Sequence, residues 1–377
     1  MIQTYSTTIR RKEMDAVLTC MVDEKIGPGE LNLRFLSAVK EFFNCDGAVA
    51  LRSPHTALKY ALRALDFNKT DKVMISSLAP SWHYTSLVDL GYDVLVLDVN
   101  ESTGLVTPEI ISKGIENGGK LLLLHETNGI LPDFLNIMAL NIPVIEDISQ
   151  SAGAVYSFEN PDAPDGIEKR KAGLFGLYTI LSLEEKDVLT SGGGSVLMAP
   201  KRKEWSLLKK YTDEISKVEL LPDINCALAW IQLKEFPKNE MIRKEIYNIY
   251  YRASLSGKHK VFIRSKKSDS NLENVSMDSA DSENEKERIQ KDLSSTVSNF
   301  PLILSSPYKD VKMYAQKKEI QISQTFEDSV IALKQEELSS SCIKAKSLYL
   351  RCADFPLYPR LSHSQVAKIA KILGTLP

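Results

Sequence analysis

The segment VIEDISQSAGA, Val144 to Ala154, runs an apolar stretch into two carboxylates and then a glutamine. In open α/β sheets ligands collect beyond the carboxyl ends of the strands. An aspartate at such an end can hydrogen-bond and charge-pair with the protonated ring nitrogen of a cofactor and so make the ring an electron sink. Asp147 is placed for that role; the plain alternative is that Glu146 and Asp147 cap whatever follows.

A second chemical group is the amine of Lys186, in the loop EEKDVLTSGG between two apolar runs, followed by Thr190, Ser191 and Gly192-Gly193-Gly194. A desolvated or paired lysine can form a Schiff base with an aldehyde. A loop lysine is more often a solvated charge, and the glycines could serve only a tight turn. At Ser53-Pro54-His55-Thr56 an apolar run gives way to an amphipathic helix, whose free N–H groups and positive dipole end suit a phosphate. Serine at the N-cap with proline at the first helical position is also a common plain start. Trp82, in PSWHYTS, could stack on a planar ring or be buried in the core. His125, closing KLLLLH, and Asn128-Gly129 after it lie at the same edge. The joint placement of polar and aromatic residues at five strand ends makes a ligand site the stronger reading.

These residues need a scaffold, and the chain supplies apolar runs at GAVALR, KVMISSL, DVLVLDV, KLLLLH and IPVIED, then LYTILSL and GSVLMA. They lack polar alternation, as strands covered on both faces should. Amphipathic stretches lie between them, including Thr56 to Phe67 and a helix starting at Thr107-Pro108. The pattern predicts an α/β fold with a mostly parallel, doubly covered sheet in a large domain, residues 1–240. A smaller α+β domain, 241–377, follows. A helical stretch from Pro222 to about Gly257 joins them, and SHSQVAKIAKIL forms a C-terminal helix. The serine-rich, charged stretch 265–299 is expected to be a flexible insertion, because it has little apolar surface to bury.

At 377 residues, with 43% hydrophobic and 25% charged residues and 47 basic against 49 acidic side chains, the chain is ordinary for a soluble protein. It shows no nucleic-acid signature. No apolar run reaches a membrane-spanning length, and the N-terminus lacks a signal-peptide core, so a cytoplasmic protein is expected. Five scattered cysteines without a C-x-x-C pair suggest neither disulfides nor a zinc site.

The same residues resemble the DegT/DnrJ/EryC1/StrS sugar aminotransferases, a branch of the fold-type I pyridoxal-phosphate enzymes. VIEDISQSAGA is similar to the family's V-I-E-D-x-x-Q-x-x-G-A, HETNGILPD to H-x-Y-G-x-x-x-D, LLPDINCALAWIQL to M-S-D-I-Q-A-A-L-G-x-x-Q-L, and ADFPLYPRLSHSQVAKI to S-L-P-L-Y-P-x-L-T-x-x-x-V. The resemblance implies pyridoxal 5'-phosphate as cofactor, Asp147 on its ring nitrogen, Gln150 near the ring hydroxyl, Trp82 stacked on the ring, and Ser53, His55, Thr56 and Ser182 at its phosphate. Lys186 is assigned as the lysine of G-x-x-x-x-F-S-F-x-x-x-K, with that motif's serine falling on Leu181 and Ser182 one position on. One branch carries histidine in place of the lysine and dehydrates sugars, so a lysine implies transamination. The implied reaction moves an amino group, from glutamate, onto a keto sugar in nucleotide-linked form, in a homodimer. A non-catalytic or regulatory relative is the alternative. Three departures stand out: Pro54 replaces a glycine of S-G-T-A-A-L, Gly192-Gly193-Gly194 lacks the glutamate of G-E-G-G, and the N-Y-R segment is absent.

Overall fold

A computed structural model describes residues 1–164, 166–264 and 295–377. Its centre is a seven-stranded sheet in the order β1-β9-β8-β5-β4-β2-β3. The strands are β1 (Gly47–Leu51), β2 (Lys72–Ser76), β3 (Asp93–Leu97), β4 (Gly119–His125), β5 (Val144–Asp147), β8 (Tyr178–Ser182) and β9 (Ser195–Ala199). The neighbours from β3 through β8 are parallel, and β9 runs antiparallel to both β8 and β1. All seven expected strands are present.

Successive side chains of a strand point to opposite faces, and here both faces are core. Val73, Ile75, Leu121 and Leu123 join Leu58 and Leu62 of helix α3 (Pro54–Ala64) on one side. Met74, Leu122 and Leu124 join Ile111 of α5 (Pro108–Glu116) on the other. At the β8–β9 end that second side is closed by Phe35, Val39 and Phe43 of α2 (Glu30–Phe43) and by Leu233 and Phe236 of α8 (Asp223–Ser254). Double coverage is why these strands read as unbroken apolar runs. A β6–β7 hairpin, Val155–Glu159 paired antiparallel with Ile167–Lys171, was not expected, because its half-exposed strands carry few apolar residues.

A second, four-stranded sheet, β10-β11-β13-β12, comprises Lys260–Val261, Phe300–Ile303, Cys352–Phe355 and Ser323–Gln324. Its core contains Phe300, Leu302, Phe355 and Ile369, together with Ile246 and Tyr250 from the second half of α8. That helix therefore lends its first half to one core and its second half to the other, and the expected boundary at residue 240 falls inside it. Ile2 pairs with Ile320 and packs in the smaller core, so the start of the chain is shared between the two units. Of the expected insertion, 265–294 lies outside the described residues. Its last five residues depart from expectation, since Thr296 and Val297 are buried. Val297 N–H donates to Glu240 Oε1 at 2.9 Å, and the Thr296 hydroxyl donates to the Ala152 carbonyl at 2.8 Å.

Candidate active site

The parallel register of β4 and β5 sets His125 beside Asp147 at the carboxyl edge of the sheet. Helix α4 (Ser81–Asp89) starts just after β2 and brings His83 down onto the same aspartate from its first turn. His83 Nε2 and His125 Nδ1 each lie 2.8 Å from Asp147 Oδ2, and all three side chains are buried. Asp147 Oδ1 accepts from the Ser149 N–H at 3.1 Å and from the Ser149 hydroxyl.

Burial alone would favour the protonated acid, but the field and hydrogen bonds of His125 and then His83 outweigh it and hold Asp147 far below the usual carboxylate range. His83 is pushed down by burial despite its carboxylate partner, so its ring stays neutral. An ionised carboxylate only accepts, and the two ring nitrogens facing it are therefore the protonated ones. The far nitrogens, His83 Nδ1 and His125 Nε2, have no hydrogen-bond partner among the described residues. The two near nitrogens and an Asp147 oxygen lie within 4.8 Å of one another, a two-histidine, one-carboxylate donor set. Metal-ligating histidines usually hand their second nitrogen to a carboxylate or carbonyl. These two do not, so the group is best described as a carboxylate clamped by two imidazoles.

Beneath this layer lies Glu146, which accepts from the N–H groups of Gly173 (2.8 Å), Phe175 (2.7 Å) and Gly176 and so pins the turn that feeds β8. Burial nonetheless raises its acid, and burial followed by the charge of Glu146 pushes the neighbouring Glu126 well above the usual range.

The phosphate candidates gather at the adjoining strand ends. Ser53 caps α3 through the Thr56 N–H at 3.2 Å, the Ser53 carbonyl accepts from the Ser195 hydroxyl at 2.8 Å, and Ser195 is register partner to Ser182. Ser182 N–H in turn donates to the Ser149 hydroxyl at 2.9 Å, which joins this cluster to Asp147. His55 stands on the first turn of α3, half-buried. The Trp82 ring leans on His83 with centroids 4.2 Å apart. Gln150 turns its amide oxygen to the Asn128 N–H at 2.6 Å.

Lys186 is not brought into this group. Its Nζ forms a 3.1 Å ion pair with Glu327, and the side chain is 69% exposed. The neighbouring Asp187 turns the other way. One of its oxygens accepts from the Glu184 N–H at 2.9 Å, and it feels the charge of Asp147. The assigned register of the G-x-x-x-x-F-S-F-x-x-x-K segment therefore needs correction by one residue. Its serine is Ser182, whose N–H is engaged at the site, and its lysine position is occupied by Asp187. The reason is the count itself: from Gly176, the spacing puts that serine on Ser182 and the lysine on position 187. His83 was also missed, since an aromatic pair at a helix start carries no spacing signal.

The fold is that of the pyridoxal-phosphate aminotransferases, a large mostly parallel sheet with a smaller α+β unit. The chain belongs to the DegT/DnrJ/EryC1/StrS aminotransferase family, which it matches over residues 7–374. That family is pyridoxal-phosphate-dependent. Among relatives, an L-glutamine:2-deoxy-scyllo-inosose aminotransferase of Micromonospora echinospora is 26% identical over 176 residues. That match takes in 45% of this chain and 39% of the relative, so the chain spans about two-fifths of the curated relative's length. PseC of Helicobacter pylori, an aminotransferase involved in the biosynthesis of pseudoaminic acid, shares the fold with a TM-score of 0.76 at 16% identity, over 97% of this chain and 96% of PseC. A GDP-4-keto-6-deoxymannose-3-dehydratase with a trapped PLP-glutamate geminal diamine gives a TM-score of 0.77 at 15% identity, over 99% of this chain and 100% of the dehydratase.

In this chain the residues present do not fit a pyridoxal cofactor held covalently. Asp147 is anionic and well placed for a ring nitrogen, but its two oxygens already take four donors, about the capacity of a carboxylate. Pro54 contributes no N–H at the start of α3. The amine of Lys186 is paired with Glu327 instead.

Proposed function

We propose that this chain works on a keto sugar in nucleotide-linked form, in amino-sugar or surface-polysaccharide biosynthesis in the cytoplasm, and that amino-group transfer from glutamate is its reaction. The observation that carries this reading is the family match along nearly the whole chain, joined to an ionised, buried Asp147 at the carboxyl end of the central strand. The trapped glutamate adduct of the dehydratase and its complex with GDP-perosamine support the choice of donor and of sugar form. In this reading Asp147 orients His83 and His125, Trp82 walls the site, and Ser53, His55, Thr56 and Ser182 offer contacts to an anionic group.

A homodimer is part of the proposal. Met14, Leu18 and Met21 recur at helical spacing on α1 (Arg11–Val22), each more than half exposed. Such an exposed apolar stripe suits a second copy.

The position of Lys186 specifically favours a second reading, a non-catalytic or regulatory relative that keeps the sugar site and the fold. Titration of the purified protein with pyridoxal 5'-phosphate, followed by tryptophan fluorescence, and an assay of glutamate-dependent amination of nucleotide-linked keto sugars test the two. Saturable binding with turnover supports transfer. Binding of the sugar nucleotide without cofactor binding supports the second reading.

A further inference from the structure

We infer that Asp187, not Lys186, is the residue that the β8–β9 loop turns toward Asp147, so that this chain presents a carboxyl where a covalent amine anchor would stand and forms no Schiff base there. The inference concerns the site of the proposed reaction but does not depend on that reaction taking place.

Three independent features carry it. The first is spacing: counted from Gly176, G-x-x-x-x-F-S-F-x-x-x-K puts its serine on Ser182 and its lysine position on Asp187, and the Ser182 N–H donates to the Ser149 hydroxyl at 2.9 Å, which bonds Asp147 Oδ1. The second is the direction of the neighbouring amine, which pairs at 3.1 Å with Glu327, a residue just after β12 of the smaller sheet. Among the described residues Asp187 makes no such pair; its carboxylate closes the turn by accepting from the Glu184 N–H at 2.9 Å. The third is electrostatic: burial first, and then the charge of Asp147, pushes the Asp187 acid up to about 7.

A protonated Asp187 can donate a hydrogen bond to a ligand oxygen and, ionised, accept one. It has no nitrogen lone pair to add to an aldehyde. A pyridoxal-type ligand would accordingly be held here by hydrogen bonds and stacking alone, or not held.

The test uses pyridoxal 5'-phosphate and the full chain, as wild type, Lys186→Met and Asp187→Lys, each treated with borohydride and mapped by peptide mass. In a Schiff base the amine condenses with the aldehyde with loss of water, and borohydride then fixes the link as a secondary amine. We expect no fixed cofactor on the β8–β9 loop of the wild type or Lys186→Met, and a new fixed adduct at position 187 in Asp187→Lys. An adduct on Lys186 of the wild type, lost in Lys186→Met, overturns the inference, as does a folded Asp187→Lys chain that stays unlabelled. Should Asp187→Lys fail to fold, Asp187→Asn replaces it. An inward acid near Asp147 requires that variant to resist urea better than wild type at pH 8, and equal midpoints overturn the inference. Absence of reversible cofactor binding in the wild type counts against the proposed transfer alone, since labelling of Asp187→Lys still reports which side chain faces the site.

Discussion

The acid at Asp187 gives the inward placement a thermodynamic signature. Its folded value stands at about 7 against 3.8 for the free side chain. A carboxyl raised in the folded state adds stability that is full below the unfolded value and is lost as pH climbs through the folded one. The window therefore runs from about pH 4 to about pH 7. Three units at about 1.36 kcal/mol each give an upper bound of roughly 4 kcal/mol. Asp187 is partly exposed, and solvent screening reduces the figure to about 1–3 kcal/mol. Asp187→Asn keeps an oxygen for the Glu184 N–H while removing the charge. It should be more stable than wild type at pH 8 by that amount, and its advantage should shrink by about 1–2 kcal/mol at pH 5. Urea unfolding at the two pH values, followed by far-ultraviolet dichroism, measures the difference. An advantage that does not change with pH, or a variant weaker than wild type at pH 8, would refute the inward carboxyl.

Two other substitutions probe the scaffold around the site. Asp223 accepts from three backbone N–H groups at the start of α2, those of Gly29 (2.8 Å), Asn32 (2.9 Å) and Leu31 (3.0 Å). Asp223→Ala strands these donors at the junction with α8 and should cost about 2–4 kcal/mol in urea unfolding, whereas a cost under about 0.5 kcal/mol would show that water replaces the carboxylate. Gly129, after His125 and Glu126, has φ +72° and would place a Cβ against the Thr296 carbonyl and 2.7 Å from that of Gln150. Gly129→Ala should lose about 2 kcal/mol or more and loosen residues 295–299, visible as faster amide exchange there; unchanged exchange would contradict the packing.

Much of the architecture was legible because burial on both faces forces a simple text. Leu121 to Leu124 can be read as a central strand from composition alone, since every position meets a core. The place of Asp147 at the carboxyl end of its strand was legible for the same reason. The β6–β7 hairpin carried no such constraint: Tyr156-Ser157-Phe158 and Glu168-Lys169-Arg170 lie half in solvent. The distinction between Lys186 and Asp187 was legible but miscounted: from Gly176, the spacing G-x-x-x-x-F-S-F-x-x-x-K puts its serine on Ser182 and its lysine position on Asp187. His83 lay hidden behind Trp82, the louder aromatic, although burial on Asp147 is the more consequential placement. Thr296 and Val297 were misjudged because composition averages over a window, while two residues anchored on Ala152 and Glu240 suffice to order its edge.

The antiparallel strand β9 sits between β8 and β1, so Gly47–Leu51 finds its strand partner in Ser195–Ala199, and its other edge bonds residues 219–221, still later in the chain. On a ribosome the first strand of the sheet emerges early and waits, its edge unpaired, until the chain beyond Ala199 has followed it out. Long-range pairing of this kind slows folding and prolongs exposure of a sticky edge. Chains truncated before β9 should therefore be aggregation-prone rather than merely incomplete, and a nascent chain has reason to engage a chaperone over that interval.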